Sequence, residues 1–74
     1  MAGYDLGGLD LRSLGLSEAD LSHANLFRAD LTGADLSRAD LSQANLTGAN
    51  LEGTNLFWAT LRGAKLRRTN LLSG

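Results

Sequence analysis

The sequence has no cysteine, no proline, one histidine and one methionine, and aromatic side chains make up only 5% of its 74 residues. Without cysteine there is neither a disulfide framework nor a thiolate metal site to stabilise so short a chain. A single histidine cannot build a zinc site by itself. Neither sign of charge dominates: seven Lys and Arg stand against eight Asp and Glu, a net charge of −1. That excludes a strongly acidic or strongly basic protein as a whole. No apolar stretch approaches the ~20 residues of a membrane-spanning helix, so no membrane association is expected. The opening MAGYDLGG lacks a basic region followed by an apolar run and does not read as a signal peptide. The expectation is one small soluble domain of a reducing compartment, the cytoplasm, near the lower size limit for a self-sufficient core.

What the chain does have is leucine at every fifth position. Leu6, Leu11, Leu16 and so on to Leu71 give fourteen registers without a slip. Ala19 to Leu51 repeats one phrase almost letter for letter: ADLSH ANLFR ADLTG ADLSR ADLSQ ANLTG ANL. Two residues before each Leu stands a second apolar or small side chain. It is Tyr4, Leu9 and Leu14 at first, then Ala from Ala19 to Ala49, then Thr54, Ala59, Ala64 and Thr69. Asp or Asn usually lies between the two. The apolar steps therefore alternate two and three. An α-helix would rotate each Leu by roughly 140° from the last and leave no stripe. A flat strand needs steps of two throughout, and a step of three would turn the next pair outward. Both pairs stay inward only if the chain turns a corner every five residues. Repeated corners with a constant inward face make stacked coils, a β-solenoid with a continuous core.

The tandem A(D/N)LXX phrase from Asp5 onward resembles the pentapeptide-repeat proteins, of the Leu-centred type common in cyanobacteria and other bacteria. The resemblance implies an all-β fold, a right-handed quadrilateral parallel β-helix with four repeats per coil. At that length the chain makes about three and a half coils. The whole of 1–74 then forms a single domain. Residues 1–18 are a degenerate first coil, 19–51 the regular repeats and 52–74 degenerate, basic C-terminal repeats. Tyr4, Leu9 and Leu14 are expected to plug the mouth of the cylinder, and Thr60, Lys65, Thr69 and Leu72 mark departures at the other end. With such slight caps, either end is expected to need a partner, a second copy or a further domain.

Little here points to catalysis. Asp5, Asp10, Asp20, Asp30, Asp35 and Asp40 alternate with Asn25, Asn45, Asn50, Asn55 and Asn70 at one repeat position, where side chains satisfy turns. Asp20, Ser22 and His23 have the residue types of a triad, but they are near neighbours on a convex wall without an oxyanion hole. No enzyme activity, cofactor or metal is expected. Counting by twenty, as the resemblance implies, places Glu18, Arg38 and Trp58 in one outer column. There Glu18 can pair with Arg38, and Arg38 can lie on the Trp58 ring. Phe57 stands beside Trp58, and two adjacent outward aromatics next to Arg have the composition of a binding hot spot. Phe27 falls half a coil away and belongs to a different patch.

Charge is divided along the chain. Residues 1–37 hold six acids against Arg12 and Arg28, whereas 38–74 hold Asp40 and Glu52 against Arg38, Arg62, Lys65, Arg67 and Arg68. Head-to-tail stacking of copies, or docking of the basic end on an acidic partner, follows as a hypothesis. Nucleic acid is not expected as a partner, because no aromatic interleaving or groove element accompanies the basic cluster. The candidate partner-binding residues are Phe57, Trp58, Arg38, Arg62, Lys65, Arg67 and Arg68, and the leading function is a non-catalytic protein-binding or scaffold module. Two alternatives stay open. The resemblance implies one, since some pentapeptide-repeat proteins mimic DNA and bind type II topoisomerases, giving quinolone resistance. A nearly neutral, short chain departs from that pattern. The other is a spacer, or a segment of a larger multidomain protein.

Overall fold

Each pentapeptide closes on itself before it meets its neighbours. The Ala24 amide donates to the Leu21 carbonyl at 3.1 Å, and the same three-back bond recurs at every register from Leu9 to Thr69. The two residues inside that bond form the corner, and the second of them has positive φ at all fourteen registers from Gly3 to Arg68. This is the requirement of a type II turn at its third residue. Six of those positions are glycine; the other eight, including His23, Arg38 and Trp58, hold φ of 56–62° with a side chain in place. The computed structural model describes residues 2–71, so Leu72 lies outside the described residues.

Between corners a single residue reaches the adjacent coil. Ten parallel bridges run from Asp5↔Asn25 to Asn50↔Asn70, every one offset by twenty residues. A bridge exchanges two backbone bonds. At Asn25↔Asn45 the Leu26 amide donates to the Asn45 carbonyl at 2.8 Å, and the Asn45 amide donates to the Ala24 carbonyl at 2.9 Å. A third inter-coil bond ties the corners, as from the His23 amide to the Ser42 carbonyl at 2.8 Å. Twenty residues carry four corners, so a coil has four sides. Each side is too short to extend its bridge into a strand, and the β-structure expected from the sequence takes the form of isolated bridges between turns.

The core is made of stacked leucines flanked by alanines. Leu21 to Leu46 have no exposed surface, Leu51 has 2%, and Ala24 to Ala49 have at most 1%. Alanine lets the backbone sit close beside each Leu column, and the interior is packed. Where Thr replaces Ala, its hydroxyl is satisfied across the coil: Thr54 Oγ1 donates to the Leu31 carbonyl at 2.7 Å, and Thr69 Oγ1 to the Leu46 carbonyl at 2.8 Å. The first coil differs. Tyr4, Leu9 and Leu14 are 61%, 46% and 43% exposed, and the turn bonds at Leu9 and Leu14 stretch to 3.3 and 3.4 Å, against 2.9–3.1 Å in the middle. Thr69 in the last coil, with a smaller side chain, has a turn bond of 3.3 Å as well, so the looser bonds go with having a stacked coil on one side only.

Candidate functional site

The Asp and Asn residues are built into the corners. Asp35 Oδ1 accepts from the Ser37 amide at 3.0 Å and from its hydroxyl at 2.7 Å. Asp20 with Ser22 and Asp40 with Ser42 repeat this geometry. The Asn45 amide oxygen does the same for Thr47, so the arrangement uses an acceptor rather than a charge. The serine hydroxyl, and then the serine amide, holds the Asp20, Asp35 and Asp40 carboxyls below the usual range. Asp10 is lowered to about 2, chiefly by the hydrogen bond from the Arg12 side chain. Arg12 lies 2.8 Å from Asp10 and 3.8 Å from Asp30, bridging two coils. The Ser22 hydroxyl donates to Asp20 rather than to His23, so Asp20, Ser22 and His23 do not form a relay. Among the described residues no group of three or more His, Asp or Glu side chains could hold a metal ion, and no helix is long and apolar enough to cross a membrane.

One outer face carries Glu18, Arg38, Phe57 and Trp58. The Phe57 and Trp58 rings stack with centroids 5.5 Å apart and planes at 26°. The Arg38 guanidinium lies 5.2 Å from the Trp58 ring centre, and its Nη1 is 3.9 Å from Glu18 Oε2. Three coils thus contribute to one column, at the twenty-residue spacing. Phe57 and Trp58 remain 61% and 70% exposed, so the stack offers aromatic surface to solvent. The Arg38 guanidinium against its ring restricts Trp58 and so lowers the rotamer entropy a partner must freeze.

The remaining candidate residues lie on other faces. Arg62 occupies the corner column of Ser22 and Ser42, and Lys65 bridges Asn45. Arg67 and Arg68 join Phe27, Arg28, Thr47 and Gly48 around an open groove of about 390 Å³. Arg28 lies 5.1 Å from the Phe27 ring centre. The groove is half a coil from the Phe57–Trp58 stack. Sequence reading separated Phe27 from that stack but did not join it to Arg67 and Arg68, although the same count by twenty aligns them.

The pentapeptide-repeat family model matches residues 5–43, 16–53 and 34–71, with eight copies. No curated protein sequence matches the chain. Among solved structures, the chain is similar to the pentapeptide repeat protein Rfr23 from the cyanobacterium Cyanothece 51142, with 35% identity and a TM-score of 0.65 over 97% of this chain. It is also similar to HetL of Nostoc sp. strain PCC 7120, a pentapeptide repeat protein involved in heterocyst differentiation regulation, with 42% identity and a TM-score of 0.58 over 96% of this chain. The chain spans 50% of the length of the first and 35% of the second.

Proposed function

The chain belongs to the pentapeptide-repeat family, and from that premise we propose that it is a non-catalytic protein-binding or scaffold module, a right-handed β-helix of about three and a half coils. The observation that carries this reading is the Phe57–Trp58 stack, held in place by Arg38 and exposed on a rigid convex wall. Aromatic side chains beside arginine are the residues that most often dominate binding energy at protein interfaces. The involvement of HetL in heterocyst differentiation regulation offers a parallel for a repeat protein with a regulatory role. Both neighbours are cyanobacterial, and a bacterial cytoplasm is the setting we propose.

The test is capture from a bacterial lysate by the wild-type chain, by Phe57→Ala/Trp58→Ala and by Phe27→Ala. A protein held by the first and third but lost by the second, with circular dichroism unchanged, supports a binding module that uses this face. Equal capture by all three, or none by any, removes the assignment.

A further inference from the structure

We infer that the groove on the opposite face binds a small multivalent oxyanion, one carrying two or more phosphate or carboxylate groups, seated over Gly48 between Arg28 and Arg68. This proposal concerns a different face from the stack and does not depend on it.

Outside the groove, Arg62 and Lys65 have no ion pair among the described residues, whereas Arg12 and Arg38 do. Arg12 pairs with Asp10 and Asp30, and Arg38 pairs with Glu18, because their columns bring acids within reach. The corners of the groove column carry none: they read Gly7-Gly8, Phe27-Arg28, Thr47-Gly48 and Arg67-Arg68, and the flanking Asp5 carboxylate is taken up by the Gly7 amide and the Asn25 side chain. Three arginines therefore line one groove, with no Asp or Glu in its wall and no ion pair of their own among the described residues.

The shape follows from one missing side chain. Arg28, Gly48 and Arg68 hold the same corner position in three consecutive coils, so Arg28 and Arg68 stand two coil rises apart, roughly 9.6 Å along the axis. Gly48 between them has φ +72° and no side chain, which leaves a notch. The Arg28 stem already leans into it: a Cβ on Gly48 would come within 3.1 Å of Arg28 Cγ. Phe27 backs the Arg28 guanidinium, leaving its N–H edge free to donate. Guanidinium forks match carboxylate and phosphate oxygens in pairs, and two forks on either side of a notch favour a ligand with more than one anionic group. A volume of about 390 Å³ suits a small molecule rather than a macromolecular surface.

Titration with pyrophosphate and with citrate, read by thermal shift and by the Gly48 amide resonance against sodium chloride at matched ionic strength, tests this. Saturable binding of either probe is expected; pyrophosphate alone indicates a phosphate ligand, and citrate alone a carboxylate. Arg28→Gln and Arg68→Gln should each weaken it about tenfold. Gly48→Asn, which keeps a residue tolerant of positive φ but fills the notch, should weaken it similarly with all the arginines intact. Arg12→Gln, with the same loss of charge on another face, should leave it unchanged. No saturation by either probe at millimolar concentration, or equal weakening by Arg12→Gln, overturns the site. If Gly48→Asn fails to fold, the exposed arginine variants decide.

Discussion

At the scale of single residues, the fold is a compromise between a corner that prefers glycine and a surface that presents side chains. Eight non-glycine corners sit at φ near 60°, a conformation costing roughly 1–2 kcal/mol per residue. His23 is one of them and is exposed. His23→Gly should therefore raise stability by up to about 1 kcal/mol, less the extra chain entropy glycine loses. Gly33→Ala, at φ +70° with only Ser13 Oγ at 3.5 Å, should cost about 1 kcal/mol from strain rather than collision. Urea denaturation of both variants checks the pair. The carboxylates add a dependence on pH. Asp10, Asp20, Asp35 and Asp40 have folded-state pKa values below their ordinary ones, so their contribution is present above about pH 4. It is lost as pH falls, for Asp10 down to about 2. The melting temperature should fall between pH 5 and pH 2, values that bracket the carboxylate range. An Asp20→Asn/Asp35→Asn/Asp40→Asn variant should show a flatter profile, because Asn45 shows that an amide oxygen serves the same corner. Identical profiles would mean the corner bonds do not favour the ionised form.

At the scale of the repeat, the element is one turn, one bridge and two inward side chains, and its worth depends on which coil holds it. Leu36 is fully buried, whereas Leu66 is 38% exposed. Leu36→Ala should cost about 3–5 kcal/mol, a large share of the stability of so small a domain, and Leu66→Ala under about 2 kcal/mol. Ala34→Trp should unfold the chain, because Ala34 is 1% exposed between columns that leave no space beside the backbone. Thermal melts of the three variants measure the gradient; equal losses at Leu36 and Leu66 would contradict it. The Asp, Asn, Ser and Thr side chains belong to this scale too. They were legible as turn residues from their place in the phrase, and the hydrogen bonds from Ser22, Ser37 and Ser42 supply the detail.

At the scale of the whole molecule, each coil touches only its neighbours, so local stability should follow position along the axis. The interior amides of Leu26, Leu31 and Asn45 donate to inter-coil carbonyls at 2.8–2.9 Å beneath fully buried leucines. Hydrogen exchange should be slowest there and faster at Thr69, whose turn bond is 3.3 Å. A uniform exchange profile would show instead that the coils open as one unit. The two outer faces arise at this scale as well: a rigid coil with a fixed period turns residues twenty apart into neighbours, and puts the Phe57–Trp58 stack and the arginine groove on opposite walls.

By itself the sequence determined the inward and outward assignment and the corner every five residues. A two–three alternation of apolar steps is compatible with neither a helix nor a flat strand. The alanines beside Leu21 to Leu51 likewise announced a narrow, filled interior. Spacing alone does not say how many corners close a coil, because any number of sides preserves the same inward pattern. That period came with the family resemblance, and the bridges at an offset of twenty give it physical form. With it, Glu18, Arg38 and Trp58 align, as the count foresaw. The same count aligns Arg67 and Arg68 with Phe27 and Arg28, but only the tertiary structure decided that they close around one groove and that Gly48 opens a notch among them. Residues twenty and forty positions apart have no local signal of contact; stacking makes them neighbours, and the side chain missing at the middle coil makes the space between them.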